Sequence, residues 1–170
     1  MRGALAGAVA AAVWALQQPL DKRVFGSRYD DVELLGKAVT RGPEWPVVGL
    51  ALHMQNGAAF GAAYVQVKQL LPGPPVGRAL IASLAENFGT WPLGIAVDRL
   101  HPARRDLDPL TGNWRALAQS TWRHALFGVL LGVIEDRLNA ELEEEVPPVP
   151  VSSNGHGDIE VAVVEVGSEQ

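Results

Sequence analysis

The chain has no cysteine, which removes disulfides, thiolate zinc sites and Cys nucleophiles from consideration. Other signatures are missing as well. No Gly-rich loop runs into a Lys to cradle phosphate, no H-E-x-x-H or similar local spacing offers a metal site, and no nucleophile-elbow sequence surrounds a Ser. His124, with Ser120 four residues before it and Glu86 elsewhere, supplies the residue types of a hydrolase without that local frame. The expectation is a protein with no catalytic residues, no metal and no nucleic-acid partner, since the basic residues fall in connectors rather than on one face.

Charge is also scarce, at 19% of residues against 48% hydrophobic, and it is absent from long stretches. Residues 3–20 and 46–67 contain no Asp, Glu, Lys or Arg; residues 79–97 contain only Glu86, and residues 116–134 only Arg123. Each run approaches the ~20 residues a helix needs to cross a bilayer. The expected fold class is all-α: a four-helix transmembrane bundle, multi-pass in a cell (inner) membrane with the lipid bilayer as its partner. The alternative for these Ala- and Gly-rich runs is the buried helices of a soluble bundle. For residues 1–20 a cleaved signal peptide is the rival, opposed by Gln17, Gln18 and Pro19, which replace a small-x-small cleavage site.

The net charge of −5 hides a division. Residues 1–134 hold 13 Lys/Arg against 9 Asp/Glu, giving +4, whereas residues 135–170 hold 1 against 10, giving −9. Two regions follow: a helical membrane domain over 1–139 and an acidic, Pro-interrupted, disordered tail over 140–170, where Ile159 to Val166 alternates like a strand without a partner. Within the first region, residues 21–45 form a polar connector with a short helix expected over Val32 to Thr40, capped by Asp31. A turn at Pro72 to Pro75 and a basic loop over 98–113 complete the plan. Nine Lys/Arg flank the first and third connectors and four the other side, so the positive-inside rule puts both long connectors in the cytoplasm. Trp45, Trp91, Trp114 and Trp122 are expected as interfacial anchors.

The most informative feature is a repeat. His53, Gly57 and Gly61 in the second run and His124, Gly128 and Gly132 in the fourth both read H-x-x-x-G-x-x-x-G, 71 residues apart. Pro19-Leu20 and Pro92-Leu93 repeat at an offset of 73. The bundle is therefore expected to be a duplicated two-helix hairpin. Residues four apart share a helix face, so each His lies on a stripe with its glycines. Such stripes serve either as packing seams, to which Gly57, Gly61, Gly128 and Gly132 are assigned, or as the wall of a site.

Ser83, Glu86, Asn87 and Thr90 form one polar stripe, and Gln119, Ser120, Arg123 and His124 a second. An unpaired carboxylate at bilayer depth costs on the order of 3 kcal/mol, so Glu86 is expected near Arg123 or one of the two histidines. The candidate intramembrane polar site comprises His53, Glu86, Asn87, Arg123 and His124. Its readings are a structural polar clamp, a small transporter or proton- or ion-conducting path in one copy or a homo-oligomer, and paired His ligands for a haem.

In these His-Gly helices and in the connector YDDVELLGKAVTRGPEWP (Tyr29 to Pro46), the chain resembles small four-helix bacterial inner-membrane proteins of the YagU-like group. The resemblance covers about residues 1–139 and implies an inner-membrane location with no established catalytic residues.

Overall fold

A computed structural model describes residues 1–144, and every element in them is helical, with no strand among the described residues. The expected disordered tail began at residue 140, but residues 140–144 belong to the last helix; the remainder, with its strand-like segment, lies outside these residues. Contacts divide the chain into Met1–Asn139 and Ala140–Gln170.

Helix α1 (Arg2–Phe25) stops at Gly26, whose left-handed φ of 59° lets its N–H reach the Lys22 carbonyl. Helix α2 (Asp31–Val39) starts because the Asp30 carboxylate accepts the Glu33 N–H at 2.9 Å. The cap is thus Asp30, one residue before the expected Asp31, which leaves the Asp31 side chain free for other contacts. Helix α3 (Trp45–Val67) opens with Pro46 in its first turn, where the missing N–H costs nothing.

Helix α4 (Pro75–Thr90) is followed by a 3-10 turn over Trp91–Leu93 and the short helix α5 (Gly94–Leu100). The run 79–97, expected as one span, is therefore interrupted, because Pro92 has no N–H to continue the ladder and crowds the preceding turn. The α5–α6 loop is tied down by the Asp98 carboxylate, which accepts the Leu110 and Thr111 N–H groups at 2.8 Å each. Helix α6 (Trp114–Glu144) begins on an Asn113 cap to the Ala116 N–H and is 31 residues long, extending well past the expected 116–134.

Small residues let the helices meet backbone to backbone. A Cβ added at Gly7 would lie 2.0 Å from the Gly57 carbonyl oxygen, and one at Gly61 2.0 Å from that of Gly3. In the second pair, a Cβ at Gly128 would lie 2.8 Å from the Leu80 Cα, and one at Gly132 2.6 Å from the Val76 Cα. Gly36 and Gly49 seat α2 on α3 in the same way, with a Cβ at Gly49 only 2.0 Å from the Val32 oxygen. No bulky side chain fits at such crossings.

One helix, α1, is by itself long and apolar enough to cross a membrane. The other three expected spans fall short among the described residues, and the causes are visible. Helix α4 has 16 residues, about 24 Å of rise. Polar residues interrupt α3 at His53, Gln55 and Asn56 and α6 at Gln119, Ser120, Arg123 and His124.

Candidate functional site

Polar side chains occupy the centre of the molecule. Of the eight largest fully buried side chains, only Leu131 is apolar; the others are Arg123, Gln119, Glu135, Asn87, Asp21, Ser83 and Ser120. The buried apolar residues that accompany them are mostly alanines, with Trp14, Tyr64 and Phe127 as the large members.

Arg123 on α6 is fully buried and reaches across to α1 and α2. Its Nε and Nη2 donate to the two Asp21 oxygens at 2.6 and 2.7 Å, a bidentate pair, and Nη1 donates to Asp31 Oδ2 at 2.7 Å. Gln119 and Gln17 donate further bonds to Asp21 at 2.6 and 2.5 Å. Asp31 also accepts from the Tyr29 hydroxyl at 2.5 Å and from the Trp14 indole at 3.2 Å. Burial works to raise the Asp31 carboxyl, but the Arg123 guanidinium and the Tyr29 hydroxyl outweigh it and hold it below the usual carboxylate range. Burial, reinforced by the Asp31 charge, pushes the Tyr29 hydroxyl well above its ordinary value, so it stays a proton donor.

The polar stripe of α4 faces α6. Glu86 Oε2 lies 2.8 Å from His124 Nε2, so Glu86 meets a histidine and not Arg123. His124 Nδ1 lies 2.8 Å from the Ser120 carbonyl oxygen, which can only accept. Both ring nitrogens therefore face acceptors, the arrangement of an imidazolium paired with a carboxylate. Asn87 accepts from the Ser120 hydroxyl at 2.7 Å and donates to Thr121 at 3.1 Å, while Ser83 donates to the His124 carbonyl at 2.9 Å.

His53 on α3 stands apart from this set. Trp14 packs edge-on against both histidines, with ring centroids 5.0 Å from His53 and 4.6 Å from His124. With both nitrogens of His124 engaged, the pair does not offer two free nitrogens to a haem iron. Among the described residues, no three His, Asp or Glu side chains converge to hold a metal ion. His53 Nε2 is buried and has no partner.

These groups surround a cavity of about 300 Å³ whose lining includes Asp31, His53, Glu86, Asn87 and His124 but no Lys or Arg. Gly57 lines it as well, while Gly61, Gly128 and Gly132 remain in the helix seams. Trp91, in the 3-10 turn after α4, belongs to this lining, with its ring 6.2 Å from that of Tyr29. Arg123 stands behind Asp31 and does not line the cavity.

Asp21, Asp31, Tyr29 and Trp14 are the members that sequence reasoning passed over. A signal for two of them existed: Trp14, Gln18 and Asp21 recur at helical spacing on α1 and are all buried. No protein-family model matches the chain, and no curated protein or solved structure matches it.

Proposed function

We propose that the chain is a multi-pass membrane protein of four crossings, built from two copies of a helix pair, that binds a small solute in its interior cavity without catalysing a reaction, as a small transporter does. The observation that carries this reading is the inverted distribution of side chains. The interior holds Arg123, Asp21, Gln119 and Asn87, whereas Leu5, Leu16, Leu20 and Val24 on α1 are 56%, 80%, 64% and 71% exposed. Leu50 on α3, Ile81 and Phe88 on α4, and Val129 on α6 continue the apolar exterior. A water-soluble bundle of this size buries its large aliphatics and leaves its ions outside. A bilayer favours the opposite arrangement, since only lipid rewards an apolar outer surface and interior ions must pair.

Two further features support the reading. The seam contacts of the pairs correspond at the offsets found in the sequence: Gly57 and Gly61 shifted by 71 give Gly128 and Gly132, and their partners Gly7 and Gly3 shifted by 73 give Leu80 and Val76. Pro19 and Pro92 then occupy corresponding places, and the second breaks its helix beside the cavity. Helix α1 runs through Pro19 unbroken, so the interruption belongs to the second repeat alone, and irregular backbone is tolerated at membrane depth where it lines a cavity. The resemblance to small YagU-like inner-membrane proteins agrees with this placement.

The test is alkaline carbonate extraction of membranes from cells making the full chain. Retention in the pellet is expected; release into the supernatant overturns the membrane reading.

A further inference from the structure

We propose that the cavity is a binding site for a small organic ammonium ion, a primary amine on an apolar body. The inference rests on the solute-binding reading above and identifies the chemical class of the solute.

Charge selects the sign. With His53 neutral, as an accepting Nε2 requires, the carboxylates of Asp21, Asp31 and Glu86 face two cations at most, Arg123 and a protonated His124. At least one negative charge is left over, and no Lys or Arg lines the wall to receive an anion. Glu86, with its side chain 40% exposed, is the acid open to a newcomer.

The remaining lining selects an organic cation over an inorganic one. A bare metal ion needs several converging ligands, and no group of three is present among the described residues. Aromatic side chains are plentiful instead. The chain has only 5 Trp, 2 Tyr and 4 Phe, yet Trp14, Tyr29, Phe60, Trp91 and Phe127 all line this one cavity. Such concentration suits an apolar body and an ammonium group stabilised by ring quadrupoles. The volume of about 300 Å³ lies at the small end for ligand sites, which limits the guest to a compact amine.

His53 supplies the independent observation. It is 7% exposed, it lines the cavity, and its Nε2 is a buried polar atom with nothing to bond to. Buried polar atoms are nearly always satisfied, so an orphan on a cavity wall marks where a ligand group belongs. A neutral imidazole nitrogen without hydrogen accepts an N–H. A primary ammonium has three to give, one of them to His53 Nε2, while the Glu86 carboxylate on the same wall supplies opposite charge.

The experiment uses the purified full chain and three probes of one shape: benzylamine, benzyl alcohol and benzoate. Binding is read by titrating tryptophan fluorescence, since Trp14 and Trp91 line the site, and by thermal shift. Saturable binding of benzylamine is expected, with the alcohol and the carboxylate weaker by on the order of tenfold or more. Glu86→Gln, which removes the charge, should weaken the amine more than the uncharged alcohol, and His53→Leu, which removes the acceptor, should weaken the amine. Equal binding of amine and alcohol, preference for benzoate, or no saturable amine binding overturns the proposal. The probe comparison on the unaltered chain needs no variant, so a variant that fails to fold does not affect it. The assay runs in detergent or in plain buffer. Release by carbonate with amine selectivity intact therefore sinks only the membrane reading, and membrane retention without selectivity sinks only this one.

Discussion

The two helix pairs share seam positions but fill the space beside them differently. In α1–α3 the glycines meet glycines, Gly7 against Gly57 and Gly3 against Gly61, and the adjoining interior is aromatic, with Trp14 against His53. In α4–α6 the glycines meet the backbone of larger residues, and the adjoining interior is hydrogen-bonded through Ser83, Asn87, Ser120 and His124. The residue that corresponds to Trp14 at the 73-residue offset is Asn87. One pair is thus held mainly by close dry contact and the other by polar bonds, and the cavity opens where the two kinds of interior meet. The difference teaches that a duplicated scaffold can carry an asymmetric site: one imidazole is committed to Glu86 while its counterpart is left without a partner.

The pairs are joined by Arg123, which reaches from α6 to Asp21 on α1 and Asp31 on α2. Removing it should have the largest effect. Arg123→Leu leaves two carboxylates facing each other without their cation, one of them fully buried, at a cost of about 3–5 kcal/mol. Thermal unfolding of the purified protein checks this. Adding Asp21→Asn and Asp31→Asn to the same chain should recover much of the loss, because the repulsion and the uncompensated charge disappear together. A melting temperature unmoved by Arg123→Leu would break the comparison, since the pairs would then be joined by something else.

A smaller contrast separates the seams. Gly7→Ala pushes a methyl group to 2.0 Å from a backbone oxygen that cannot step aside, so the α1–α3 crossing must open, at about 3 kcal/mol or more. Gly132→Ala meets the Val76 Cα at 2.6 Å and the Ala79 Cβ at 3.2 Å, a milder overlap expected to cost about 1–3 kcal/mol. Equal losses in the two variants would show the seams to be alike and the contrast unfounded.

Much of this arrangement was legible in the sequence because it is local. Charge-free runs placed α1 and α3, a run with the single charge of Arg123 placed the core of α6, and spacing by four put each histidine on its glycine stripe. The polar stripe of α4 placed Glu86 near Arg123 or one of the two histidines, and it meets His124. What periodicity could not supply was pairing at long range. Asp21 and Arg123 are separated by 102 residues, and nothing near either names the other. Asp31 read as a helix cap, since a short helix carries no mark of what it folds back upon. The break at Trp91–Leu93 was hidden for another reason: apolar residues continue through it, so composition alone reads one helix where Pro92 makes two pieces.

The smallest expected effect concerns acid and tests whether Asp31 is tied to the Arg123 bridge. Its carboxyl is held below the ordinary range, because burial, which opposes ionisation, is outweighed by Arg123 and the Tyr29 hydroxyl. A depressed folded-state value means that the unfolded chain binds a proton first. The contribution to stability is therefore complete above the unfolded value of about 3.9 and is lost as pH falls through the lower folded value. Arg123 stays charged throughout, and Tyr29, pushed upward, stays protonated. His53 and His124 also face this region, so the informative quantity is the difference between the unaltered chain and Asp31→Asn. Melting temperatures of the two should differ most from neutral pH down to about 4 and converge below it. The gap stays small because burial offsets much of the attraction. A gap that is constant down to strongly acidic pH would mean that the Asp31 charge contributes nothing, and that Asp21 alone holds Arg123 between the two pairs.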